Sequence, residues 1–485
     1  MITMTIDDQG NPTKHIPLAR DLSFGDVVRL SLSSITPASA VFAILPSTIV
    51  ALYWGSALSI VAAILMCVPI AYCYAMLGRA FPGAGGEYAF AARFFGRSVG
   101  QAAWLTTVAG VTLAIATILQ GAGALLGAIV GIDLGVWAVP LLVLVPLLIS
   151  PQRVLRGARI TSVLLIIELI ALAAISSLGI YVFASSGTTL TSCVASAVSS
   201  VALLDPALIL AGVSVAYFAL AGFGSAIILG EEDEDFGRAS ARAVGWSLVL
   251  AGLLELGAVI AVLLGLGCSP AFAGIDGGGA GQLLSQFPLI GDSLPLRLIV
   301  LGGGFIAAIN AVVVIIMQVA RIVFSGARDS YLPSGVGEVL ARVNPATQTP
   351  IPATLLVIVV AASIGALVPV TSVVAWASAA LFVPPAVVAA SMLVWNRSVA
   401  RSTRGRWTPR DLIPLSALIA MVVVAYFVLS TDPGAVVVAV AAWIAGLINA
   451  RLTRPRTPAV SLHGDLGGSA TEGRQRPADD STELH

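Results

Sequence analysis

The sequence predicts an all-α polytopic membrane protein of twelve transmembrane helices with both termini in the cytoplasm. Composition, the number of apolar runs and the placement of basic residues carry that prediction. Of 485 residues, 58% are hydrophobic and 10% charged, against roughly 25% charge in soluble domains. Runs of about 20 mainly apolar residues, the length that crosses a bilayer, fall at 27–50, 55–78, 101–128, 134–150, 159–183, 205–230, 244–267, 297–324, 351–370, 372–395, 412–430 and 434–452. Lys and Arg concentrate in cytoplasmic loops, and with both tails inside, Arg297 is the one basic residue left on the outer side. A missed or invented span would invert every loop beyond it and scatter that pattern. The outer loops hold Asp133, Asp205, Asp276, Asp292 and Asp432 instead.

Composition and residue placement also set aside several classes of function. Formal net charge is zero, so no global field recruits nucleic acid. His15, His463 and His485 all lie in polar tails, which leaves no histidine for catalysis, proton relay or metal binding within the bilayer. Cys67, Cys73, Cys193 and Cys268 show no Cys-x-x-Cys spacing, so neither a zinc site nor a thioredoxin-type centre is expected. Cys193 and Cys268 both fall in outer loops, where a disulfide could form, and the sequence leaves open whether they are bridged. The first 25 residues are polar and include Asp7, Asp8 and Asp21, which is not the pattern of a cleaved signal peptide. No metal or cofactor is expected, and the reading is not that of an enzyme.

The first span, 27–50, contains the break on which the rest depends. It reads Ser33-Ser34-Ile35-Thr36-Pro37-Ala38-Ser39-Ala40-Val41-Phe42. Pro37 has no amide hydrogen and drives Thr36 away from helical geometry. Unpaired backbone is tolerated in hydrocarbon only where it lines a cavity or site, which makes this stretch a candidate ligand cradle. A proline kink healed by Ser and Thr hydroxyls is the alternative.

After the second span, residues 79–100 hold a Gly/Pro turn and then aromatic and basic residues that suit a short interfacial helix. The fifth and seventh spans contain the two deep carboxylates, Glu168 and Glu255, and intramembrane ionisable groups are costly enough to count as functional candidates. For Glu255 a structural role is favoured. The sixth span carries Gly222 and Gly224 in mid-membrane, where helix propensity fails and another backbone can come close. The acidic run Glu231 to Asp235 follows and reads as a solvated charge cluster. Spans one and six each open a set of five, and matching interruptions in two halves mark the substrate site of an inverted-repeat transporter.

The expected organisation is a cytoplasmic N-terminal tail, 1–24; a first five-helix repeat, 25–183; a second, inverted five-helix repeat, 205–395; two additional helices, 411–452; and a disordered cytoplasmic tail, 455–485. A half-helix that begins in mid-membrane offers amide hydrogens and about half a positive charge to an anion, and one that ends there offers carbonyls to a cation. A molecule with carboxylate and ammonium on one carbon satisfies both, so the breaks argue for an amino acid.

These residues resemble the amino acid/polyamine/organocation transporter superfamily, whose LeuT-type fold has two inverted five-helix repeats plus two further helices. The resemblance covers about 20–450. It rests on the broken first span with Pro46 beyond it, on Phe81-Pro82-Gly83-Ala84-Gly85-Gly86-Glu87-Tyr88 with Arg93, on Phe218 to Phe223, and on Arg321 with Ala327 to Pro333. The family's Gly-Ser-Gly-like core falls on Ala38-Ser39-Ala40, where Pro37 makes the break in place of two glycines. Gly224 replaces an acidic residue common in the sixth span.

The resemblance implies a substrate site of Ile35, Thr36, Pro37, Ala38, Ser39, Ala40, Phe218, Ala219, Ala221 and Gly222, with Phe218 in the place of the gating aromatic. It also places Glu168 where some proton-coupled relatives have a lysine, making Glu168 the candidate for proton coupling. Sodium-coupled relatives use hydroxyls just before the residue matching Arg321, and Met317-Gln318-Val319-Ala320 has none. The expected function is a secondary active amino acid permease of the cell membrane, embedded in the lipid bilayer and working as a proton symporter by alternating access. An amino acid or polyamine exchanger and a non-transporting amino acid sensor are the alternatives.

Overall fold

Within hydrocarbon a backbone amide finds a partner only in its own helix or in a closed barrel, and the computed structural model of the chain is built accordingly. It describes residues 22–82, 86–132, 138–151, 154–202, 204–230, 237–266, 293–399, 409–431 and 433–453, the strands 4–6 and 12–14, and positions 134, 233, 235 and 287. Glu231, Glu232, Cys268, Asp276 and the predicted disordered tail from 455 lie outside the described residues. Apart from the antiparallel pair β1 (Met4–Ile6) and β2 (Pro12–Lys14), the named elements are helices.

Ten of them, among the described residues, are long and apolar enough to cross a membrane: Phe24–Ile44, Trp54–Ala80, Arg97–Val130, Arg159–Ser185, Pro206–Leu229, Arg238–Gly265, Leu294–Arg328, Val370–Ser398, Pro409–Ser430 and Pro433–Leu452. The other two predicted spans are shorter than expected. In place of 134–150 stand α7 (Ala138–Leu142) and α8 (Leu144–Ile149), which carry Pro140 and Pro146, residues that break helical bonding. Twelve residues of helix rise about 18 Å, short of a ~30 Å hydrocarbon core. In place of 351–370 stands α16 (Ile351–Leu367), closed by extended Val368 before Pro369, the geometry that a following proline imposes. Helix α10 (Leu190–Ala202) lies in the predicted outer loop that holds Cys193 and was not expected. Its Ser- and Thr-rich sequence hides it from an apolar-run count.

The remaining elements are α1 (Phe24–Ile35), α2 (Pro37–Ser39), α3 (Pro46–Leu52), α4 (Trp54–Ala80), α5 (Glu87–Phe95), α6 (Arg97–Val130), α9 (Val154–Ser185), α11 (Pro206–Leu220), α12 (Arg238–Gly265), α13 (Leu294–Arg297), α14 (Gly303–Arg328), α15 (Ser334–Leu340), α17 (Val370–Ala380), α18 (Val383–Val399), α19 (Pro409–Thr431) and α20 (Pro433–Leu452). Helix α6 is the central post and packs on α14, α17, α20 and α16, while α12 packs on α4, α9 and α1. Large side chains such as Leu65, Val163, Leu253 and Val422 point outward, an arrangement suited to lipid rather than water.

One end of the bundle is tied by a polar network around α5. Tyr88 donates to Asp329 at 2.9 Å. Arg97 donates to the Asp329 and Ser330 carbonyls at 3.0 and 2.6 Å. Gln101 and Asn449 both donate to the Tyr331 carbonyl, at 2.7 and 2.6 Å. Helices α5, α6 and α20 are thereby fixed to the chain that follows α14, and the residue that opens α5, Glu87, is held in register.

Cys67 and Cys73 are free and buried, as expected of cysteines used as apolar packing, whereas Cys193 is disulfide-bonded. Alkylation of the denatured, unreduced protein is expected to label Cys67 and Cys73 but not Cys193. Peptide mass before and after reduction checks this, and a Cys193 that alkylates without reductant would overturn the bond.

Candidate functional site

The first break is made at a single residue. Thr36 adopts φ 49° and ψ 75°, the left-handed region, because Pro37 bars it from right-handed helix. A β-branched residue there is strained by about 1–3 kcal/mol, and the hydroxyl of Thr36 donates to the Ile35 carbonyl at 2.8 Å. The helix then resumes immediately, with Pro37 in the first position that tolerates a missing amide. Thr36 still donates to Leu32 at 2.8 Å and accepts from Ala40 at 3.0 Å. The stretch is therefore a sharp redirection and not an unwound segment. From Ala40 to Ile44 the turn widens into a π-helix.

The first-turn amides of a helix have no partner within it, and the amide of Ala38 finds one far along the chain. It donates to Oε1 of Glu168 at 3.1 Å. Asn310 approaches the other carboxyl oxygen at 3.4 Å through Nδ2, so Glu168 joins α2, α9 and α14. Glu168 and Asn310 are both fully buried. Nearby, Ser39 Oγ, Asn310 Oδ1 and both carboxyl oxygens of Glu255 are buried without a hydrogen-bond partner, and Glu255 lies within electrostatic reach of Glu168.

The second break uses glycine. Helix α11 ends at Leu220, Ala221 is extended at ψ 135°, and Gly222 takes φ 128°, which L side chains rarely adopt. A 3-10 helix, Phe223–Leu229, continues the span. A Cβ on Gly222 would lie 3.1 Å from the Ile35 nitrogen and the Ser34 carbonyl carbon. The two breaks therefore touch, backbone to backbone.

A cavity of about 110 Å³ opens beside that contact. Ile35, Phe218, Ala219, Ala221 and Gly222 line it. Thr36, Pro37, Ala38, Ser39 and Ala40 are buried next to it but are not among its lining residues, since α2 packs on α9, α12 and α14. The expected residues thus divide into a cavity wall and a layer behind it that meets Glu168.

Several lining side chains were not anticipated: Tyr74, Glu87, Thr107, Ser225 and Gln318. Gln318 accepts from Ser34 at 2.8 Å through Oε1, while its Nε2, Thr107 Oγ1 and Ser225 Oγ have no partner. Glu87 accepts from the Tyr74 hydroxyl at 3.1 Å. Burial pushes its carboxyl above the usual range, with its own backbone amide and Tyr74 pulling partly back. The signal for Glu87 was in the Phe81–Tyr88 motif, which was read as a turn and an interfacial helix. Among the described residues no three His, Cys, Asp or Glu gather as a metal site.

The sequence profile described as amino acid permease matches residues 22–449. The chain belongs to that family. The permease is 27% identical over 433 residues to uncharacterized transporters of Mycobacterium tuberculosis and Mycobacterium bovis, an overlap of 84% of this chain and 86% of theirs. Its fold is similar to that of a Na+-coupled sialic acid symporter solved in a substrate-bound, outward-open state, with TM-score 0.52, 14% identity and 91% of both chains covered. The permease is a multi-pass membrane transporter with a LeuT-type fold, as the superfamily resemblance implies.

Proposed function

We propose that the permease is a secondary active transporter that carries amino acids across the cell membrane by proton symport, with both termini cytoplasmic and Glu168 as the coupling group. The observation that carries this reading is the bond from the Ala38 amide to Glu168. A helix N-terminus favours an anion, and here the protein's own carboxylate occupies it. Protonation of Glu168 removes that negative charge while its carbonyl oxygen keeps the Ala38 bond, so the positive end of the helix favours the carboxylate of a substrate in the adjoining cavity. Proton binding and substrate binding then favour one another, and such coupling is reciprocal. Carbonyls at the end of α11, next to Phe218 and Ala221, are the acceptors for the substrate ammonium. Alternating access would move the halves about the contact between Gly222 and Ser34–Ile35.

Proteoliposomes containing no internal amino acid test the reading directly. Uptake of labelled amino acids is expected when the outside is acidic and the inside alkaline. It should be insensitive to replacing external Na+ by choline, since no hydroxyl lies in Met317 to Ala320. Flux that requires internal substrate would make the permease an obligate exchanger. Binding with no flux under any gradient would make it a sensor.

A further inference from the structure

The cavity reaches past the two breaks to the α5 end of the bundle, where Glu87 forms part of its wall. Among the described lining residues Glu87 is the one with a charge-bearing side chain, and no Lys, Arg or His joins it. Tyr74, Tyr217, Phe218 and Phe223 line the same space, and aromatic faces attract cations. Glu87 is only 8% exposed, and a buried carboxylate without a counter-charge is costly.

The position of Glu87 separates it from the part of the site that receives the amino acid's backbone groups. The ring of Tyr74 abuts Gly224, two residues beyond the break, and its hydroxyl reaches onward to the Glu87 carboxyl. That carboxyl therefore lies beyond the Tyr74 hydroxyl from Gly224, the glycine that follows the break. The α-ammonium group belongs at the break, and the end of a long side chain belongs at Glu87. Gln318 Nε2, a donor with no partner, adds a polar contact that an apolar ligand would leave unpaired.

Resting on the transport reading above, we infer that the permease selects amino acids whose side chain ends in a positive charge, an ω-ammonium or guanidinium, with Glu87 facing that charge and Tyr74 positioning Glu87. A cation there favours the charged carboxylate. Substrate and carboxylate neutralise each other inside the cavity, which a neutral side chain of the same length does not do.

Lysine and norleucine, which differ by the terminal ammonium, are the probes. Binding to purified permease is measured by competition and by ligand-induced thermal shift. Wild type is expected to prefer lysine by at least about tenfold. Glu87→Gln is expected to bring the two within about threefold of each other, Glu87→Asp to restore part of the preference, and Tyr74→Phe to narrow it without erasing it.

A wild type that binds norleucine as well as lysine overturns the inference, and so does a preference that survives Glu87→Gln. Should Glu87→Gln fail to fold, the wild-type ratio and the Glu87→Asp variant still decide. Proteoliposome flux separates the two levels. Norleucine carried in preference to lysine defeats only the side-chain assignment, whereas no flux of either, or of any common amino acid, defeats the transport reading beneath it.

Discussion

Glu168→Gln is expected to abolish proton-driven accumulation while leaving exchange of internal for external substrate intact. The glutamine keeps a carbonyl oxygen for the Ala38 amide, which Glu168 now accepts at 3.1 Å. Its new amide nitrogen has an acceptor ready in Asn310 Oδ1, buried without a partner. The variant should therefore fold, with the joint between α2, α9 and α14 preserved, and it resembles the protonated carboxyl permanently. Moving one charge across 100 mV supplies ~2.3 kcal/mol, and ~1.4 kcal/mol is a factor of ten, so coupling to one proton supports roughly 40-fold accumulation. The expected ratio of internal to external substrate in the variant is about one. Counterflow, which needs no net proton movement, is the paired measurement. A variant that still concentrates substrate under a pH gradient would remove Glu168 from the coupling step.

The fold class and both breaks were legible in the sequence because each depends on local chemistry. Pro37 constrains Thr36 whatever surrounds it, and Gly222 permits a φ that other residues resist. What Pro37 could not reveal is that the chain turns at one residue and resumes helix at once, because that depends on where the Ala38 amide finds its acceptor. The acceptor lies 130 residues away on α9, and no spacing within a single span encodes that meeting. Glu168 was singled out as an ionisable group at depth, but its partner was not.

Glu87 shows a second kind of blindness. It follows a Gly/Pro turn and opens a nine-residue helix, so sequence context marks it as a surface residue. It becomes part of the cavity because Tyr88 ties that helix to the chain after α14, while Arg97 and Gln101 tie the following α6 to the same chain. The three shorter helices in place of 134–150 and 351–370 were obscured for a simpler reason. Hydropathy averages over prolines that the backbone does not ignore.

Gly222→Ala is expected to cost at least about tenfold in transport, because it sets a methyl group where two backbones already meet. The new Cβ would lie 3.1 Å from the Ile35 nitrogen and 3.1 Å from the Ser34 carbonyl carbon, atoms of a main chain that cannot swing aside like a side chain. The native φ of 128° is also unfavourable for any L residue. Strain of about 1–3 kcal/mol from the backbone and a similar amount from overpacking must be relieved, and the cheapest relief is to part α1 from the second break. That separation opens the wall between the cavity and the layer holding Glu168. Substrate and proton would then no longer be felt at one place.

Gly245→Ala is the control, since nothing lies within 4 Å of a Cβ there. Both variants put alanine for glycine in an apolar span, and they differ in what the methyl meets and in the backbone φ that the new residue must hold. If Gly222→Ala transports as Gly245→Ala does, the contact between the breaks carries no function. If it loses flux while retaining helical content, the close approach of Gly222 to Ser34 and Ile35 is what joins the two halves of the transport cycle.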